Sequence, residues 1–136
     1  MQFSMSQTYS VAFYNLENLF DPLDNETTRD RDYTPEGIYQ WNKEKYLQKI
    51  EHVSRVISKI GKMRSNIPPV LMGVCEIENE FCLNDLIQSD HLKKYDYGWV
   101  FDSSGDPRGI NVALLYQKQY FKIENQATYP ISLHID

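Results

Sequence analysis

Two uninterrupted apolar runs, Val70-Leu71-Met72-Gly73-Val74-Cys75 and Val112-Ala113-Leu114-Leu115-Tyr116, constrain this chain more than any other feature. Strands without polar alternation need apolar cover on both faces. Two further runs read as strands, Val11-Ala12-Phe13-Tyr14, ending at Asn15, and Tyr97-Gly98-Trp99-Val100-Phe101, and a weaker strand is expected over Ile123 to Ile131. Helical cover is scarce. From Trp41 to Lys62 the apolar residues Tyr46, Ile50, Val53, Ile57 and Ile60 recur every three or four positions, which marks one face of a helix. Lys43, Lys49, Arg55 and Lys59 fall on its wet side, and Gly61 lies near its end. A shorter helix, capped by Asn79, carries Phe81, Leu83, Leu86 and Ile87. One long helix and one short one shield a single face. At about 25 cal/mol per Å², several hundred Å² of wet sheet would forfeit on the order of 10 kcal/mol, comparable with the whole stability of a domain. The pattern therefore predicts half of a two-sheet sandwich, whose second face meets something outside this sequence.

The 136 residues suit one domain, read here as a single partial domain over 1–136. Hydrophobic residues at 41% and charged residues at 24% exclude a disordered chain. Lys plus Arg (14) against Asp plus Glu (19) leaves a net charge of -5, so no basic footprint points to nucleic acid. Binding of phosphate must then be local or metal-assisted. Cys75 and Cys82 form no metal-ligand array and read as small buried hydrophobes. No run approaches the ~18 apolar residues of a membrane span, and Met1 to Ser10 lacks the basic and apolar regions of a signal peptide, which leaves the compartment unassigned. Residues 21–40 read as a long acidic loop, holding Asp21, Asp24, Glu26, Asp30, Asp32 and Glu36. It lacks the glycine and glutamate offsets of an EF-hand, so a solvated charge run is expected.

Polar groups at strand ends are the candidate chemistry, because strand ends hold loop residues rigidly. Asn15 and Glu17 follow the first strand; Asn15 reads either as a turn residue bonding its own backbone or as a site residue. Glu76 follows the most apolar strand. It either supports the next helix N-terminus or, desolvated, calls for a cation such as Mg²⁺, which takes one or two carboxylates and keeps several waters. Arg108, beside Gly109, offers a planar fork that matches phosphate oxygens. No P-loop is present, and His52, His91 and His134 have no Ser or Cys partner at triad spacing.

The segments Val11 to Asp21, Asp32-Tyr33-Thr34-Pro35-Glu36-Gly37, Gly73 to Asn79 and Arg108 to Tyr116, taken in order, resemble the endonuclease/exonuclease/phosphatase family. The resemblance implies the N-terminal half of a four-layer deoxyribonuclease-I-like α/β (α+β) sandwich, one mixed sheet with helices on its outer face. It implies divalent-metal-dependent phosphoester hydrolysis with Mg²⁺ (or Mn²⁺) as cofactor, Glu76 as the metal carboxylate, Asn15 near metal and scissile phosphate, and Glu17 as a second acid near the metal. The family's Asp-Asn and Asp-His pairs belong to its C-terminal half and have no counterpart before Asp136. Ser89-Asp90-His91 matches the terminal motif in letters but falls between two early elements. The expectation is a truncated phosphoester hydrolase, inactive alone, whose partners are a phosphoester substrate and the missing half or a dimer mate. DNA, RNA, inositol phosphates and lipid head groups all stay open as substrates. The alternative is a non-enzymatic module that completes its sandwich with another chain. A nucleic-acid-binding domain without catalysis is disfavoured by the charge.

Overall fold

The computed structural model describes residues 7–24, 28–103 and 105–129. Strand β1 spans Val11–Leu19. Helix α1 (Lys43–Ile57) and the single turn α2 (Lys62–Ser65) lead to β2 (Leu71–Ile77), and α3 (Glu80–Gln88), β3 (Tyr97–Asp102) and β4 (Asn111–Gln117) follow. The strands form one mixed sheet in the order β1-β2-β4-β3. Strands β1 and β2 are parallel, joined by the crossover through α1 and α2, and β4 is antiparallel to both β2 and β3.

Burial alternates along the strands as the pleat requires. Met72, Val74 and Ile77 of β2 and Ala113 and Leu115 of β4 face the helices, where they meet Tyr46, Ile50, Val53 and Ile57 of α1 and Cys82, Leu83, Leu86 and Ile87 of α3. The helix expected from Trp41 to Lys62 is shorter, Lys43–Ile57, and α2 begins only at Lys62. Asn42 caps α1, its side chain accepting from the Lys45 N–H at 3.0 Å, and a turn after Ile57 ends in Gly61 at φ 73°. That left-handed backbone suits glycine and breaks the run. Removing the cap with Asn42→Ala is expected to cost about 1 kcal/mol, read as a lower urea midpoint.

The opposite face of the sheet is only partly covered, although its apolar strands call for cover on both faces. Val11 is 72%, Phe13 70% and Val112 54% exposed. The Phe13 ring covers Gly73 so closely that a Cβ there would lie 2.5 Å from it. The strand expected over Ile123 to Ile131 does not form within 123–129, and its last residues lie outside the described ones. Residues 121–129 instead cross the open face, where strand backbones are already paired sideways and offer no ladder. Gln126 Nε2 donates to the Phe101 carbonyl at 3.0 Å and Thr128 donates to the Asp102 carboxylate. A cleft of about 570 Å³, lined in part by Leu71, Val100, Leu114 and Tyr116, runs beside this segment. No helix among the described residues is long and apolar enough to cross a membrane.

Candidate active site

The parallel β1–β2 ladder runs in register from Val11 and Leu71 to Asn15 and Cys75, then slips, and the next pair is Leu19 with Ile77. Strand β1 therefore spends Leu16, Glu17 and Asn18 where β2 spends Glu76 alone. The β2–β4 ladder skips Glu76 as well, passing from Cys75–Val112 to Ile77–Asn111. Strand β1 thus continues past Asn15, beyond its expected end. Bulges of this kind re-aim side chains. Glu17, Asn18 and Glu76 have φ of 55°, 62° and 60°. A left-handed backbone costs a residue with a Cβ about 1–2 kcal/mol, and such strain persists only where surrounding contacts over-determine it. Three such residues share one rung of the sheet.

The contacts are specific. Asn15 Nδ2 donates to Glu76 Oε1 at 3.0 Å, and the Asn18 N–H donates to Glu76 Oε2 at 3.1 Å. Asn15 Oδ1 accepts from the Glu17 N–H at 2.7 Å. Asn15 is accordingly both things its position allowed: its oxygen bonds local backbone and its amide holds the carboxylate across the ladder. Glu76 does not support the following helix; that N-terminus is capped by Asn79, whose Oδ1 accepts from the Cys82 N–H at 3.0 Å. With one hydrogen bond on each carboxylate oxygen, Glu76 keeps a lone pair on each for a further partner. Glu76 and the exposed Glu17 offer hard oxygen donors, and among the described residues no thiol or imidazole is hydrogen-bonded to either carboxylate. Such a set suits Mg²⁺ or Mn²⁺.

Lys49, expected on the wet side of α1, is instead half-buried, and Lys49 Nζ donates to the Glu17 carbonyl and lies 3.5 Å from that of Asn18. Burial lowers its pKa, while the charges of Glu17 and Glu76 work to raise it. Arg108 is engaged locally, its guanidinium forking onto Asp106 at 2.8 and 3.1 Å. That pair holds the Asp106 carboxyl down to about 2. Asp106 thus competes with a phosphate for the Arg108 fork.

The acidic loop is solvated at Asp24, Asp32 and Glu36, as its composition suggests, but not at Asp21 and Asp30. Asp21 is 7% and Asp30 2% exposed. The Asp21 N–H donates to Glu78 Oε2 at 2.8 Å, Asn79 Nδ2 donates to Asp21 Oδ2 at 2.8 Å, and Asn111 Nδ2 donates to the Glu78 carbonyl at 2.7 Å. Burial, with the nearby charges of Asp21 and Asp30, pushes the Glu78 carboxyl up to about 8. Ligand atoms of Asp21, Glu78 and Cys82 lie within 4.8 Å of one another. Burial also pushes the Cys82 thiol well up. Both shifts favour the protonated forms, so a cation held by this group would have to displace protons from Glu78 and Cys82. Further along, Tyr33 stacks on Phe20 with centroids 4.3 Å apart and touches Tyr39 and Trp41, so an aromatic cluster folds the loop back toward the site. Burial first, then the charges of Tyr39, Glu76 and Asp32, raise the Tyr33 hydroxyl. Ser89-Asp90-His91 stays apart from this arrangement: His91 lies 3.1 Å from Glu51 of α1 and Asp90 pairs with Lys93.

One mixed four-stranded sheet with helices agrees with an α/β sandwich of the deoxyribonuclease-I-like kind. The model of the endonuclease/exonuclease/phosphatase family matches residues 10–136, and the chain belongs to that family. Comparison with curated proteins and with solved structures returned no match. The family acts on phosphoesters and generally uses divalent metals.

Proposed function

We propose that this chain supplies Asn15, Glu17 and Glu76 to the centre of a Mg²⁺- or Mn²⁺-dependent phosphoester hydrolase. The observation that carries the reading is the Asn15–Glu76 hydrogen bond at a strained bulge in a chain of this family. Glu76 would hold the cation, with Glu17 as a second oxygen donor. The bound cation would polarise a phosphoryl oxygen and stabilise the charge of an in-line displacement. Asn15 fixes the Glu76 carboxylate and presents its amide beside the phosphate. Arg108, released from Asp106, would take a second phosphate oxygen.

Acid–base help is typically worth about 10²–10⁴-fold. The described histidines do not supply it here, because His52 and His91 both sit against Glu51. On this reading the chain supplies half of a centre, and turnover draws on groups from outside the described residues. The test is hydrolysis of a phosphate bis-ester, DNA and inositol phosphates with Mg²⁺ or Mn²⁺. Weak turnover that EDTA abolishes and Glu76→Ala removes is expected. Turnover that survives EDTA or Glu76→Ala would overturn the metal reading, and fast turnover would overturn the half-centre reading.

The exposure of Val11, Phe13, Val112 and Leu114 favours a second reading, a module whose open sheet face pairs with another chain. A monomer in sedimentation that binds no hydrophobic dye would dismiss it.

A further inference from the structure

The Glu17–Asn18 bulge has no glycine to ease it, yet it sets both N–H groups that aim the site: that of Glu17 on Asn15 Oδ1 and that of Asn18 on Glu76 Oε2. Left-handed backbone at consecutive residues relaxes unless neighbouring contacts hold it. The holding group comes from another element. Lys49 reaches from α1 across the edge of β1 to the carbonyls of Glu17 and Asn18, the same two residues. Its Nζ lies 5.8 Å from the centre of the Trp41 ring, and Trp41 Nε1 in turn donates to the Phe20 carbonyl at 2.9 Å. Carbonyls on both sides of Leu19 are thus tied to α1 and the residues leading into it.

We propose that Lys49 is the positioning residue of the Asn15–Glu76 pair: its ammonium pins the carbonyls of the left-handed Glu17–Asn18 bulge and so fixes the two amides that orient the pair. The proposal rests on the reading of Asn15 and Glu76 as the site. It also carries a sign that separates it from a simple charge effect. Lys49 is a cation close to Glu17 and Glu76, so by Coulomb's law alone its removal would tighten binding of a divalent cation. As a positioning residue, its removal loosens the carboxylate and weakens binding, since supporting contacts of metal ligands are typically worth about 10–100-fold in affinity.

The experiment compares the full chain with Lys49→Met, which keeps the stem and loses the charge, and with Lys49→Arg, which can reach the same carbonyls. Lys49→Gln replaces the methionine variant if that variant does not fold. Amide hydrogen exchange is read without metal at Glu17 and Asn18, with Val74 and Leu115 as controls for the fold. Exchange at Glu17 and Asn18 at least tenfold faster in Lys49→Met, restored by Lys49→Arg with the controls unmoved, is the expected result. Unchanged exchange overturns the proposal. In a second measurement, Mn²⁺ titrated into the same proteins is expected to bind about tenfold more weakly to Lys49→Met, and tighter binding overturns positioning in favour of plain repulsion. If the parent chain binds no Mn²⁺, the metal reading of the site fails, and the exchange rates alone decide the role of Lys49.

Discussion

Raising the pH from 5 to 8 in metal-free buffer is expected to lower the urea midpoint of this chain, and Glu78→Gln is expected to remove most of that loss. Glu78 is 6% exposed, and its carboxyl is pushed from an ordinary 4.5 up to about 8 by burial and by the charges of Asp21 and Asp30. Below the unfolded value both folded and unfolded chains hold the proton, and the contribution to stability is complete. Between the two values only the folded chain keeps it, so stability falls with rising pH and the contribution is lost above about 8. The effect is on the order of a few kcal/mol. Asp106 and Glu51, held low by Arg108 and His91, act with the opposite sign, but only in more acidic solution, outside this window. Glutamine at 78 keeps an acceptor for the Asp21 N–H and offers the acids a donor that does not titrate. A midpoint that falls as steeply in Glu78→Gln as in the parent chain would remove Glu78 from the explanation.

Glu76 is expected to show the larger effect on binding. Both Glu76→Ala and Glu76→Gly should lose at least about 100-fold in Mn²⁺ affinity, measured by titration calorimetry. Their stabilities should nevertheless differ. Each variant loses the same two hydrogen bonds, so comparing one with the other cancels that loss. What is left is the left-handed backbone at φ 60°, which alanine bears and glycine does not. Glycine at 76 should therefore be the more stable of the two by about 1 kcal/mol. Equal stabilities would mean that the bulge is not strained at this residue, and retained Mn²⁺ affinity would take Glu76 out of the metal site.

Much of the architecture was legible because it is written in period. The four-and-three spacing of Tyr46, Ile50, Val53 and Ile57 gives α1 its buried face, and Asn79 caps α3 as its position before Phe81 and Leu83 suggests. The unbroken apolar runs foretold a sheet with one face uncovered, and Val11, Phe13 and Val112 are exposed on it. Asn15 and Glu76 stood out because each closes an apolar strand. The bulge that joins them was not legible, since glutamate and asparagine do not announce left-handed backbone and the conformation is imposed by long-range contacts. Lys49 was placed on the wet side for a sound reason, its angular position on the helix, but a four-carbon stem can reach around to a strand edge. Asp21 and Asp30 were misread from the company they keep in a polar loop. Hydrogen bonds with Glu78 and Asn79, more than fifty residues further along the chain, draw Asp21 inside. Over Ile123 to Tyr129 the segment crosses the face of the sheet and does not run along the edge strands β1 or β3, so its propensity had no ladder to join.

Because β1 and β2 both leave regular pairing at the same rung, the facing of Asn15 and Glu76 depends on residue count as much as on residue type. Deleting one residue between Leu16 and Asn18, or inserting one beside Glu76, would turn the next side chains through half a pleat and swap the greasy and wet sides of everything downstream. A substitution here alters one side chain, whereas a change of length re-aims all that follow, so the spacing of this locus should tolerate change less than any single one of its letters.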